Sequence, residues 1–240
     1  ILNELAKFKW ILEPFKSYES YYEDRFKGSW KTYFETGSET GLYSSGLIHF
    51  LFKDIIKNQF LGTVLDYKYL IYSRFDQFYV NEHPRIETDK ILIPKGEDYF
   101  GICDRHTILP SKHAYDFLDI CSYIDSEKAL KDKPDFNNCE TTFKNHLSHI
   151  NLLENVERID RFQFTASLKQ DKTNWRVPKY KVYFYKDLMI KYPDEFIHGV
   201  NNSIRAYSFL KYFLKEPALT INYIYLIFRR FLGKVKSMII

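Results

Sequence analysis

Three short stretches hold most of the residues that could do chemistry. In Ser73-Arg74-Phe75-Asp76 an apolar run ends in a carboxylate. Asp76 could hold a divalent ion there, and Arg74 could pair with a phosphate. The second stretch is Gly96-Glu97-Asp98-Tyr99-Phe100-Gly101-Ile102-Cys103-Asp104-Arg105-His106. Its acids suit sugar hydroxyls, Arg105 suits phosphate, and Gly96 and Gly101 allow the backbone to approach a ligand closely. In the third, Asn137-Asn138-Cys139-Glu140, an acid stands where a helix begins and could take a proton from a hydroxyl. Together these residue types fit the transfer of a group from a diphosphate to a hydroxyl. Such a reaction needs charge neutralised on the departing diphosphate, the hydroxyl deprotonated and the two reactants held in line.

Each stretch also has a plain structural reading. Asp76 could cap a turn, Asp104 and Arg105 could form a local pair, and Glu140 suits a helix dipole without any other role. Spacing alone leaves both readings open. Trp175 and Arg176 could stack on and clamp a sugar, or could simply pack. His146 and His149, three apart on a helix, lack a carboxylate partner and read as a solvated face. His198 is a lone histidine that could serve as a late metal ligand.

The elements that must position these residues follow from periodicity. Residues 1–27 read as helix, kinked at Pro14, and a second helix begins near Ser44 or Ser45 and runs through Ile56. Tyr67–Tyr72 and Ile91–Pro94 read as buried strands, as do residues 156–168 and 180–185. His113–Ile124 and Asn138–Glu154 read as helices, and the chain from Ser203 onward as helical with a break at Pro217. Strands alternating with helices predict an α/β fold, a central mixed sheet flanked by helices. The expected division is a domain over residues 1–202 and a helical extension over 203–240.

Bulk properties narrow the function classes. The chain has 240 residues, 45% of them hydrophobic and 28% charged, which is globular composition. Net charge is +4, with basic residues scattered, so no stripe marks a nucleic-acid binder. A mild positive field favours a diphosphate-linked substrate. Cys103, Cys121 and Cys139 have no disulfide or metal-ligand spacing, which fits a reducing compartment such as the cytoplasm. No apolar run reaches the roughly 20 residues needed to span a bilayer. Leu210–Ile240 is basic and amphipathic: it could pack on the domain or in a dimer, or rest on a membrane surface.

Taken in order, Tyr72-Ser73-Arg74-Phe75-Asp76-Gln77-Phe78-Tyr79, His83-Pro84, Ile91-Leu92-Ile93-Pro94-Lys95-Gly96-Glu97-Asp98-Tyr99-Phe100-Gly101 and Asp104-Arg105-His106 resemble a group of glycosyltransferases. These come from large algal viruses and from bacteria, and the likeness is closest to chlorella-virus enzymes that build capsid glycans. It continues through Asn138-Cys139-Glu140 and Trp175-Arg176 and covers Gly41 to Lys191.

The resemblance implies a GT-A (Rossmann-like) fold, a UDP-sugar donor with xylose as the narrow guess, and a glycan or glycoprotein acceptor. It implies Mn2+ or Mg2+ held by Asp76, and the cytoplasm of a host as the setting. It places Arg74, Glu97, Asp98, Gly101, Arg105, His106, Trp175 and Arg176 around donor and acceptor. Glu140 or Asp104 is the expected base of an inverting transfer. Three departures stand out. Arg74 replaces the first acid of the usual Asp-x-Asp, and Phe100-Gly101 stands where the group has two glycines. The β-α-β unit that holds the nucleobase is not seen before Tyr67, so part of the nucleotide site is expected to be absent from this chain. A carbohydrate-binding protein of the same shape without catalysis is the rival expectation, and a metal-dependent hydrolase using the same acids is a third.

Overall fold

The structure is a computed structural model and describes residues 18–35, 45–84, 86–135, 137–173 and 182–239. Two short helices, α1 (Tyr18–Arg25) and α2 (Ser29–Glu35), precede the long α3 (Ser45–Leu65). The Asp125 carboxylate accepts from the backbone N–H groups of Gly28 and Trp30, which supplies the start of α2 with its missing acceptor. The expected Pro14 kink lies outside the described residues.

Two four-stranded sheets follow. β1 (Tyr69–Ser73), β4 (His106–Pro110), β3 (Ile91–Pro94) and β5 (Val156–Ile159) form the first, in that order. β3 and β5 run parallel, while β4 is antiparallel to both β1 and β3. β3 and β4 are buried at every residue, as expected of strands covered on both faces. β2 (Gln77–Tyr79), β6 (Gln163–Leu168), β8 (Leu188–Ile190) and β7 (Tyr183–Tyr185) form the second sheet, in that order and antiparallel. The fold is therefore mixed α/β, as the pattern of elements predicts.

Two strands escape the sequence pattern. β2 has three residues, too few to show a period, and β4 begins with a histidine and ends in a proline, types that do not mark a strand. The expected helix His113–Ile124 is broken into α4 (Ala114–Leu118) and α5 (Ile120–Ile124), since Asp119 between them leaves the helical region at φ −83°, ψ 25°. After α6 (Glu127–Lys131), α7 (Cys139–His149) is shorter than the periodicity suggests. Residues 156–168 are not one strand but two, in different sheets.

Each sheet has its own core. Around the first, Trp30, Phe50, Ile91, Ile93, Phe117 and Phe143 pack with the helices α1 to α7. Around the second, Phe164, Ile190, Phe196 and Tyr212 pack with α8 (Pro193–Tyr207), α9 (Phe209–Lys215) and α10 (Pro217–Ile239). The expected boundary between residues 202 and 203 falls inside α8, whose buried face includes both Phe196 and Ser203. The C-terminal helices pack in the second core through Tyr212 and Leu226.

Candidate active site

Strand polarity decides where the charged residues gather. Ser73 at the carboxyl end of β1 pairs with His106 at the amino end of β4. Pro94 and Ile159, the carboxyl ends of β3 and β5, pair with each other. Leu92 of β3 lies against Ile108 of the antiparallel β4. All these ends therefore lie at one edge of the first sheet, the edge where open α/β sheets bind ligands. The sequence leaving or entering that edge carries Arg74 and Asp76, the Gly96–Gly101 loop, Asp104 and Arg105. The starts of α7 and α8 come to the same place.

Glu140 lies in the first turn of α7. Asn138 caps this helix by accepting from Thr141 N at 2.8 Å, and the Thr141 hydroxyl accepts from Asn138 N at 2.9 Å. The helix dipole should favour a charged Glu140. Burial opposes that and wins: the carboxyl is raised from 4.5 to about 7, against the pull of Arg105 and with a further push from Asp104. The Arg105 guanidinium stands 3.9 Å away, beyond hydrogen-bond reach.

What keeps Arg105 there is Glu195, a buried carboxylate in the first turn of α8 that sequence reasoning missed. Its Oε1 accepts from Arg105 at 2.8 Å and from Arg161 at 2.9 Å, and its Oε2 accepts from Thr165 N at 2.7 Å. Arg105 also lies over the ring of Tyr192 at 4.8 Å. Lys191, the residue before it, is lowered to about 8 by burial and by the neighbouring charges of Arg105 and Arg74. Three cations thus converge on one edge beside an acid held near neutrality.

The other sequence candidates divide. Asp104 is buried against Lys53, which sits in α3 among the rings of Tyr72 and Phe143. Burial would raise its carboxyl, but the Lys53 ammonium outweighs this and holds it below the ordinary carboxylate range. A carboxylate so tied is a poor base, so the structure favours Glu140 of the two acids named. Lys53 escapes detection because a lysine in an amphipathic helix usually reaches solvent. Its signal is the apolar company of Phe50-Leu51-Phe52 and Ile55-Ile56.

Asp98 is also held by its neighbours. It makes two contacts with Arg158, at 2.8 and 3.0 Å, and accepts from Cys103 N at 3.0 Å. These contacts brace the loop that carries it. Glu97 is exposed to a degree and accepts from the Tyr99 hydroxyl. His106 turns away into an aromatic group, where its Nδ1 meets the Tyr79 hydroxyl at 3.2 Å and its Nε2 meets Nε2 of His83 at 3.2 Å. Burial, and then His83, lower it to about 4. His106 has a side-chain partner at each ring nitrogen.

Gly101 matters for a different reason from the one expected. A Cβ there would lie 2.0 Å from the carbonyl carbon and oxygen of Glu140. Ile102 N donates to that same carbonyl at 3.0 Å, and Asn138 Nδ2 donates to the carbonyl of Tyr99 at 2.9 Å. The glycine lets the loop seat the start of α7. Gly101→Ala should therefore cost about 2–3 kcal/mol in unfolding free energy by overpacking. It should also lower any activity of the site by on the order of a hundredfold, through displacement of Glu140. Thermal unfolding together with a turnover assay checks both; an unaltered protein would show that the helix start has room to spare.

Asp76 lies on this edge with Arg74, whose Nε and Nη2 reach its two oxygens at 3.1 and 2.5 Å. Gln77 donates to it as well, at 3.3 Å. Burial raises its carboxyl, but Arg74 overcomes this and holds it low. With both oxygens engaged by one guanidinium, Asp76 does not fit a metal site as arranged, and among the described residues no group of three His, Cys, Asp or Glu side chains could hold a metal ion. Beside it, a pocket of about 620 Å³ is lined by Phe75, Asp76, Ser167, Asp171 and Thr173, with Phe75 87% exposed.

Trp175 and Arg176 lie outside the described residues. His146, expected on a solvated face, is instead buried, with Nε2 2.9 Å from the carbonyl of Asp116. Its helix face packs against α4 and α5, so the polar spacing misled. His198 is exposed on α8.

No protein-family model, curated protein or solved structure matches the chain.

Proposed function

We propose that the chain transfers a sugar from a UDP-sugar, xylose being the first to try, to a hydroxyl of a glycan acceptor with inversion. Glu140 carries this reading: a carboxyl held at about 7 can be ionised at neutral pH and still accept a proton readily. Its Oε takes the acceptor O–H proton. The acceptor oxygen forms the new bond to the anomeric carbon, and the bond from that carbon to the diphosphate oxygen breaks with its electron pair staying on UDP. Arg74, Arg105 and Lys191 face the charge that develops on the leaving diphosphate. Asp76 serves by positioning Arg74.

The family resemblance gains support from one backbone angle. Phe100 stands where the group has a glycine, and its φ is 71°, in the left-handed region that favours glycine. The GT-A identity, the UDP-sugar and the setting inside a host cell belong to this proposal.

A screen of UDP-sugars for hydrolysis and for transfer, run with Mn2+, with Mg2+ and with a chelator, tests it. The expected result is slow release of UDP from one donor, faster with a glycan acceptor, and surviving chelation because the cations are the protein's own. A strict requirement for Mn2+ or Mg2+ would overturn the assignment of charge neutralisation to the three side chains. Absence of both UDP binding and turnover would overturn the enzyme.

The Arg74–Asp76 pair also favours a second reading, a carbohydrate-binding protein without catalysis. Calorimetric titration separates the two: glycan binding with no affinity for UDP is its signature.

A further inference from the structure

The last helix has two apolar faces, and only one is covered. Leu226 is buried and part of the second core, with Leu219 and Tyr223 against it; Thr220, in the first turn of the helix, is buried on the other side, just before the exposed stripe begins. Polar contacts fix the side of Leu226. The Tyr183 hydroxyl donates to Asn222 Oδ1 at 2.8 Å, the Tyr223 hydroxyl donates to Asn201 Oδ1 at 3.2 Å, and Arg230 pairs with Asp194 of α8.

On the opposite side Ile221, Ile224, Tyr225, Ile227, Phe228, Phe231, Leu232 and Val235 are all exposed, Phe228 by 59% and Phe231 by 60%. At 100° per residue these eight positions fall within an arc of about 160°. From Ile227 to Val235 every residue is exposed, although Arg230 keeps its pair with Asp194 of α8. A continuous apolar stripe of this kind is rare on the free surface of a monomer.

Charge identifies what covers it. Between Pro217 and Ile239 the sequence has Arg229, Arg230, Lys234 and Lys236 and no acid. On the helical wheel Arg229 flanks one border of the stripe and Lys234 the other. A second copy of the chain, placed on this face about a twofold axis, would bring these cations together with no acid on the helix to offset them. An anionic lipid headgroup layer meets both features at once: the cations pair with headgroups and the aromatic and aliphatic side chains enter the acyl boundary. Among the described residues no helix is long and apolar enough to cross a membrane, so the helix would lie in the plane of the interface.

We propose that α10 seats the protein on an anionic membrane surface through the Ile221–Val235 stripe. This stands apart from the proposed activity, since it concerns the face of α10 turned away from the core and is read by binding alone. The test is co-sedimentation with vesicles of phosphatidylcholine, or of equal parts phosphatidylcholine and phosphatidylserine, using the wild type and the double variant Phe228→Glu/Phe231→Glu. Both positions are exposed, and an unchanged thermal midpoint shows that the variant is folded. The wild type is expected to bind the phosphatidylserine vesicles at least tenfold better than the neutral ones, and less well as salt is raised. The variant is expected to lose that binding. Equal sedimentation of the two proteins would overturn the proposal, as would a wild-type dimer in solution that the double variant converts to monomer without any lipid binding.

Discussion

Glu140→Gln is expected to lower turnover with the UDP-sugar donor by about 10²–10⁴-fold while leaving UDP affinity unchanged, since the amide keeps the shape but cannot take the acceptor proton. The pH dependence gives a second readout. In the wild type kcat/KM should rise tenfold per pH unit below about 7 and level off above it, as Glu140 ionises; the variant should lose that limb. Stability should move the other way. A carboxyl raised in the folded state binds its proton more tightly there than in the unfolded chain, so stability is full below 4.5 and declines as pH rises towards 7. Glu140→Gln removes that decline, worth up to about 3 kcal/mol. It should therefore be more stable than the wild type at pH 8 and similar at pH 4. Measured turnover, pH profile and denaturation at both pH values together check the assignment. Full turnover in the variant removes Glu140 from the chemistry, and equal stability at pH 8 removes its raised pKa.

The second large effect concerns Glu195. Glu195→Ala leaves Arg105 and Arg161 buried without their shared carboxylate and leaves Thr165 N without its acceptor. Breaking a buried pair in this way costs about 3–5 kcal/mol, which for a chain of this size lowers the melting temperature by roughly 10 °C. Glu195→Gln keeps one acceptor oxygen and should cost less. It also loosens Arg105, which can then approach Glu140 and lower its pKa, so the acid limb of the rate profile should shift below 7. Calorimetry ranks the two variants; a melting temperature unchanged in Glu195→Ala would show that Glu195 is not the tie described.

The sequence makes three residues of this site legible: Arg74, Arg105 and Glu140 each follow or precede a recognisable strand or helix. Asp76 is legible in place but not in role, because its partner Arg74 stands in the position where a second acid was sought. Glu195, Arg161, Lys191 and Lys53 are not legible, since each takes its role from residues at least 30 positions away or from ring surroundings that no local pattern encodes. The fold shows the same division. The run of apolar residues over Ile91–Pro94 forms a strand because those side chains have nowhere else to go. β2 and β4 depend on neighbours already in place: Gln77 pairs with Thr165, and Tyr72 with Thr107. His113–Ile124 kept its helical period across Asp119, so only the backbone angles reveal the break. His146 failed in the opposite direction, because a buried histidine whose Nε2 meets the carbonyl of Asp116 leaves no mark on spacing.

Glu195 begins a helix of the second core, while the Arg105 it holds leads into a strand of the first. The cationic edge is thus shared property of two layers that each have hydrophobic contacts of their own. A chain in which one layer has formed before the other can look native by its helix content and still have nothing to hold Arg105 in place. Recovery of turnover after dilution from denaturant would then follow the slower layer, and the site would act as the last reporter of folding.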